Sequence, residues 1–237
     1  MKAIRIKFFQ ETASFKLPMW NGSILPTYPL PPYSTVIGMI HTLCQWSTAH
    51  RIKLSIVCNN QQLGAAQQGL HRGYIGGATF NKVTEETEAR WPIVVEGAFN
   101  DYIGFTTRIY TTEFLVDRHY TLHVTTENEE DFNKIVEAFN YPPVYPSLGR
   151  WEDSIRIDEV KIVEIADELV NGKLNCFVWL PERYSSLQGF STVWKIPTYY
   201  NLVRDKRKFE YIKCYLGERG DLATFRLDEE GEPVLLI

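Results

Sequence analysis

Five prolines (Pro18, Pro26, Pro29, Pro31 and Pro32) fall between Lys16 and Pro32, and then the run stops at Tyr33. Each fixes its own φ and pushes its predecessor toward extended backbone, so this segment cannot be helical and reads as an ordered loop. Ser34 or Thr35 is then placed to cap a helix from about Ser34 to Thr48, whose apolar positions Val36, Ile37, Ile40 and Leu43 recur at helical spacing. The loop is thus predicted to end at a helix N-terminus, where unpaired N–H groups and a partial positive charge suit a phosphate. Taken alone, such a stretch is more often a plain connector.

The chain has 237 residues and 44% apolar content, enough for a substantial core in one domain with a large insertion or in two small domains. No apolar run is long enough to span a bilayer, and the start M-K-A-I-R-I-K-F-F-Q-E has no signal-peptide pattern, so a cytoplasmic protein is expected. Cys44, Cys58, Cys176 and Cys214 lack C-x-x-C spacing and read as reduced, mostly buried thiols rather than zinc ligands.

The formal charge of -4 hides a segregation. No Asp or Glu occurs from Thr12 through Thr84, where the overall composition predicts about nine, yet the stretch carries Lys16, Arg51, Lys53, Arg72 and Lys82. Twelve acids against four bases crowd Glu127 to Glu168. One face cleared of negative charge for a polyanion, and another free to meet protein partners, would give this pattern.

Ala3 to Phe9 alternates as a half-buried strand, and Ile52 to Val57 alternates again after the helix. Asn59 to Gly77 is a polar, glycine-dotted segment that reads as a loop, without a phosphate-binding glycine motif. Trp91 to Glu96 and Arg108 to Phe114 read as strands of an inserted hairpin, with a turn at Gly97 to Gly104. Tyr120 to Thr126 (strand), Glu129 to Asn140 (helix capped by Asn128) and Val160 to Ile165 (strand) form a second βαβ unit. Two such units make an α+β, ferredoxin-like βαββαβ domain over residues 1–167, with 58–117 as an inserted β-hairpin thumb and 168–237 as a small β-rich C-terminal extension. The extension holds a basic cluster, Arg204 to Lys208, which reads first as an exposed turn.

The motifs A-S-F-K-x-P, T-Y-P-L-P-P-Y-S-T-V-I-G-M-I and Y-P-S-L-G-R-W-E-D, in this order, resemble the CRISPR-associated Cas-five family. The likeness extends from Met1 to about Asp167. It implies a non-cleaving, type I-B-like subunit of the Cascade surveillance complex, which grips the 5′ handle of the guide RNA (crRNA) and caps the protein filament. The implied partners are that RNA, the Cascade backbone subunit and the large subunit, with contact to target DNA near its protospacer-adjacent motif left open and no membrane. No cofactor or metal is expected. The implied RNA-binding residues are Ser14, Phe15, Lys16, Tyr28, Ser34, Arg72, Arg108, His119, Gly149 and Arg150. Phe15, Tyr28, Tyr33 and Trp20 are the candidates for base stacking, although such aromatics are more often core.

One branch of this family cleaves precursor RNA without a metal, using a Tyr near the first helix end and a Lys-His pair. Here Arg118-His119 occupies the place of that pair, and Cys44, Gln45 and Trp46 stand where the Tyr would be. A guanidinium does not readily give up a proton, so catalysis is not expected and no catalytic residue is assigned. His119 and His123 share a strand face, but no third metal ligand is evident. Two alternatives remain open: a metal-independent endoribonuclease of the same fold, and an interaction domain that binds no nucleic acid.

Overall fold

The first strand sets the layout. In β1 (Lys2–Ala13) the side chains of Ile4, Ile6 and Phe8 are almost wholly buried on one face, and Arg5, Lys7 and Phe9 point to the other. The computed structural model describes residues 1–18, 24–60, 67–80, 83–91, 93–96, 102–184, 192–204 and 206–237, with side chains at 24, 67–80, 87–89, 105–110, 183 and 206 left aside. After β1 come β2 (Ile24–Leu25), α1 (Tyr33–Leu43), β3 (Lys53–Cys58), β4 (Gln67–Phe80), α2 (Glu85–Arg90), β5 (Ile93–Glu96) and β6 (Tyr102–Thr125). Next are α3 (Glu129–Asn140), β7 (Arg156–Glu164), β8 (Val170–Lys173), β9 (Phe177–Pro181), β10 (Trp194–Val203), β11 (Lys206–Gly217), β12 (Leu222–Leu227) and β13 (Pro233–Val234).

The chain divides into two compact units, residues 1–15, 28–66 and 115–237 in one, and 16–27 and 67–114 in the other. In the first, the antiparallel order β7-β1-β6-β3 is that of a ferredoxin-like sheet, with α1 and α3 packed together on one face. The same sheet continues past β3 through β9 and β11 to β10, so the C-terminal third extends the main sheet. On the opposite face a small sheet, β13-β12-β8, closes a second apolar cluster of Val57, Val178, Leu180, Phe225 and Leu235. Burying each such side chain stabilises the fold by roughly 1.5–3 kcal/mol before entropy is counted.

In the second unit, β4 and β5 pair antiparallel with the first half of β6. Gln67 to Gly77, expected as a loop, is therefore strand. Glycines carry no side chain to reveal alternation, and only the partner strand specifies the register from Gln67↔Phe114 to Phe80↔Tyr102. Nor does β6 wait for the end of the turn expected at Gly97 to Gly104: it spans Tyr102–Thr125, interrupted at Asp117, whose left-handed backbone (φ 52°) drops out of the ladder with β1 between Thr12↔Val116 and Gln10↔Arg118. Around the prolines, Lys16 bridges Thr27, Leu17 N–H donates to the Pro26 carbonyl at 3.2 Å, and Thr27 N–H donates to Glu113 Oε2 at 3.2 Å.

Helix α1 also differs from expectation. Its N-cap is Pro32, not Ser34 or Thr35, and no side chain caps it; the Pro32 carbonyl accepts from Thr35 N–H (3.0 Å) and Val36 N–H (3.3 Å). The extended geometry of Pro32 (φ -63°, ψ 147°) is what a cap residue needs, so the helix begins at once after the last proline. It stops at Leu43, because Gln45 takes a left-handed conformation (φ 55°) while Trp46 N–H donates to the His41 carbonyl and Gln45 N–H to that of Thr42. Helix α3 has the predicted limits, and Asn128 accepts from Glu130 N–H at 2.9 Å.

Candidate functional site

Where β1 ends, the chain meets the loop between α3 and β7, and one carboxylate joins them. Asp153, 1% exposed, accepts on Oδ2 from Ser14 N–H (3.1 Å), Arg150 N–H (3.2 Å) and Arg150 Nε (2.9 Å), and on Oδ1 from Arg150 Nη2 (2.5 Å). Gln10, fully buried in β1, adds a clamp: its Nε2 donates to the carbonyls of Leu148 (2.8 Å) and Asp153 (2.9 Å). The loop closes on itself through Leu148 N–H to the Asp153 carbonyl and Ile155 N–H to that of Pro146.

Gly149 has φ 104°, and a Cβ there would stand 3.2 Å from Phe15 Cε1, 3.2 Å from the Ser14 carbonyl oxygen and 3.3 Å from Asp153 Oδ2. Both the backbone angle and the close approach call for glycine. Ser14, Phe15, Gly149 and Arg150 are therefore brought together. Arg150 is occupied within the loop, since Nη1 also pairs with Glu152 at 2.9 Å, so its primary work is to brace the turn. Next to it Trp151 is 89% exposed, and Tyr145 and Tyr141 are 80% and 82% exposed.

The other predicted residues scatter. Phe15 and Tyr28 are buried, and Tyr28 packs edge-on to Trp179 (6.3 Å) and against Trp194 (5.7 Å). Tyr33 is fully buried. Phe15, Tyr28 and Tyr33 are thus core and present no ring to a base: Trp179 and Trp194 from distant strands pack on Tyr28, the Tyr33 hydroxyl donates to the Trp179 carbonyl at 3.4 Å, and Phe15 lies against Gly149. Ser34 sits in the first turn of α1 without a capping bond. Lys16 is exposed in the second unit. The backbones of Arg72 and Arg108 lie in paired strands opposite Ile109 and Gly73, while their side chains, and the whole of Trp20, lie outside the described residues.

Alternation along β6 separates Arg118 from His119. Arg118 is 1% exposed and faces Cys58, whereas His119 is exposed on the other face, with its ring 4.9 Å from that of Phe9. Arg156 lies over the other side of the row, 4.9 Å from the Phe9 centroid. His123, on the same face as His119, is fully buried and bonds Asp228 Oδ2 at 3.1 Å. Asp228 also takes Arg5 Nη1 at 2.9 Å, and Arg5 reaches Glu159 and Glu230 as well. Burial holds the His123 ring below its usual range against the pull of Asp228. Burial alone pushes the Asp228 carboxyl up, but the N–H groups of Glu232 and Glu230, with His123 and Arg5, bring it below the usual value. Neither Gln10, Asp153 nor this cluster was singled out from sequence; only Asp153, inside the G-R-W-E-D motif, carried a local signal.

All four cysteines are free and buried, and burial pushes Cys44 and Cys176 up to about 12, so they are unreactive packing groups. Among the described residues no cluster of His, Cys, Asp or Glu is arranged to hold a metal, and no helix is long and apolar enough to cross a membrane.

Strand order, paired helices and hairpin insertions define an α+β, ferredoxin-like fold. The family profile of CRISPR-associated protein (Cas_Cas5) matches residues 3–215, so the chain belongs to that family. Among solved structures, the chain resembles one described as "CRISPR RNA-guided surveillance complex", at 15% identity and a TM-score of 0.53, over 93% of this chain and 91% of that one. A second, described as "Crystal structure of a CRISPR protein from Archaeoglobus fulgidus", aligns at 10% identity and a TM-score of 0.46 over 99% and 98% of the two chains. No curated protein matches.

Proposed function

We propose that this protein is a non-catalytic subunit of a type I CRISPR surveillance complex that holds the 5′ handle of the crRNA and caps the backbone filament. The observation that carries this is the junction at Asp153, which ties the loop from Pro146 to Ile155 onto the end of β1 and leaves Trp151 in solvent beside Arg150. A turn braced by Arg150 that holds an exposed indole suits the stacking of an unpaired base. Membership of the family supports the assignment to a guide-RNA complex. The stacking role expected of Phe15 and Tyr28 passes to Trp151, since the first two are buried. The acid-rich surface around α3 suits the neighbouring protein subunits.

A non-catalytic role is favoured by the burial of Arg118 on the face of β6 opposite His119, which keeps the neighbouring guanidinium from stabilising a developing phosphate charge beside the imidazole. Two experiments test the proposal. Changing Arg150 or Trp151 should weaken salt-sensitive binding of repeat-derived 5′ handle RNA; unchanged binding in both would remove this surface from consideration. Incubation with repeat RNA in EDTA should leave the RNA intact, and discrete cleavage abolished by His119→Ala would establish the endoribonuclease instead.

A further inference from the structure

The hairpin of β10 and β11 forms the edge of the main sheet, and its two faces differ completely. One face carries Trp194, Ile196 and Cys214 and packs toward α1. The register Lys195↔Lys213, Pro197↔Tyr211, Tyr200↔Phe209 and Leu202↔Arg207 puts the alternate side chains on the other. There Lys195, Tyr200, Arg207, Tyr211 and Lys213 are exposed and Phe209 is half-buried. The Arg207 guanidinium lies over the Tyr200 ring at 4.8 Å, and the Tyr200 and Phe209 rings are 5.8 Å apart. Among the described residues of the hairpin no acid shares this face: Glu210 points to the opposite side, where it accepts from Asn201 Nδ2 at 2.9 Å. Among the described residues no carboxylate pairs with Lys195, Arg207 or Lys213.

A protein core-type partner would bury these cations without counter-charges, and a rigid duplex would leave the rings idle. Phe209 and Tyr211, two positions and about 6.8 Å apart on one strand, flanked by Arg207 and Lys213, match the base faces and phosphates of an unpaired strand. We infer that this face binds a single strand of RNA through stacking and phosphate contacts, without reading base identity, as a surface separate from the Asp153 loop. In the sheet, β11 stands four strands from β1, roughly 20 Å away. The choice of RNA as occupant rests on the proposed guide-RNA function.

The test measures binding of the full chain to labelled oligo(U) and to 5′ handle RNA by fluorescence anisotropy across a salt series, for wild type, Arg207→Glu/Lys213→Glu and Tyr211→Ala. The double variant is expected to bind oligo(U) about tenfold more weakly, with a log–log salt slope shallower by about 1.4, and Tyr211→Ala to bind about fivefold more weakly. Circular dichroism confirms that these exposed substitutions leave the fold intact. Wild-type affinity for oligo(U) in both variants would overturn the inference while leaving the handle assignment standing. Wild type that binds neither RNA would instead overturn the proposed function. Tighter wild-type binding of oligo(dT) than of oligo(U), or a double variant that binds oligo(U) normally but fails to join its protein neighbours, would also overturn it.

Discussion

The backbone N–H of Ser14 donates to Oδ2 of Asp153 at 3.1 Å, across 139 positions of chain. The same carboxylate holds both the backbone and the guanidinium of Arg150, so it is the keystone between the end of β1 and the loop that follows α3. Asp153→Ala leaves a buried Ser14 donor and a cation without their acceptor. The expected cost is about 3 kcal/mol of unfolding free energy, measured by urea titration, together with weakened handle binding. An Asp153→Ala protein of wild-type stability would show the junction to be incidental.

Gly149→Ala is expected to destabilise the protein by about 2 kcal/mol, because φ 104° is unsuited to a side chain and the added methyl meets Phe15 and the Ser14 carbonyl oxygen. Gly231, with φ 85° but nothing within 4 Å of the would-be Cβ, is the control: its Ala variant should lose only the backbone component. Thermal melts of the two proteins compare them directly, and equal losses would mean that the approach of Phe15 is unimportant.

Tyr28→Ala should unfold more easily by about 3–4 kcal/mol, since it empties a space bounded by Trp179 and Trp194. Were Tyr28 a base platform, the substitution would instead reduce RNA affinity with little change in the melt.

Much of the fold was legible from local signals. The two βαβ units and α3 followed from alternation and period, because Asn128, the first-turn acids and the buried positions Ile135, Ala138 and Phe139 all agree. The end of α1 was not, because Gln45, rather than a glycine, adopts the left-handed conformation that stops it. Strand β4 was hidden by its glycines, and its partner begins more than twenty residues later. At the site, Ser14, Phe15, Gly149 and Arg150 were legible only as members of the family motifs, and the role of the carboxylate that joins them, Asp153, was not. Nor was the burial of Tyr28, because it depends on Trp179 and Trp194, contributed by β9 and β10 far along the chain.

Stability should fall as pH is lowered from about 7.5 to about 5.5. Burial depresses His41 and His123 below the ordinary histidine range, so the unfolded chain binds protons that the folded one does not, and folding loses free energy as pH drops through that range. The depressed Asp228 adds a further loss only in much stronger acid, below the ordinary carboxylate range. Melting temperatures across this range measure the effect, and His123→Gln should flatten the dependence. A melting temperature that rises on acidification would contradict the assignment of His123 as a buried neutral ring.

The most direct test of the RNA-holding role is ultraviolet cross-linking of this protein to crRNA in the assembled complex, with the linked peptides and nucleotides identified by mass spectrometry. Cross-links between 5′ handle nucleotides and the peptide containing Gly149, Arg150 and Trp151 are the predicted result. A complex in which that peptide links to no RNA, while handle nucleotides link only to other subunits, would contradict it.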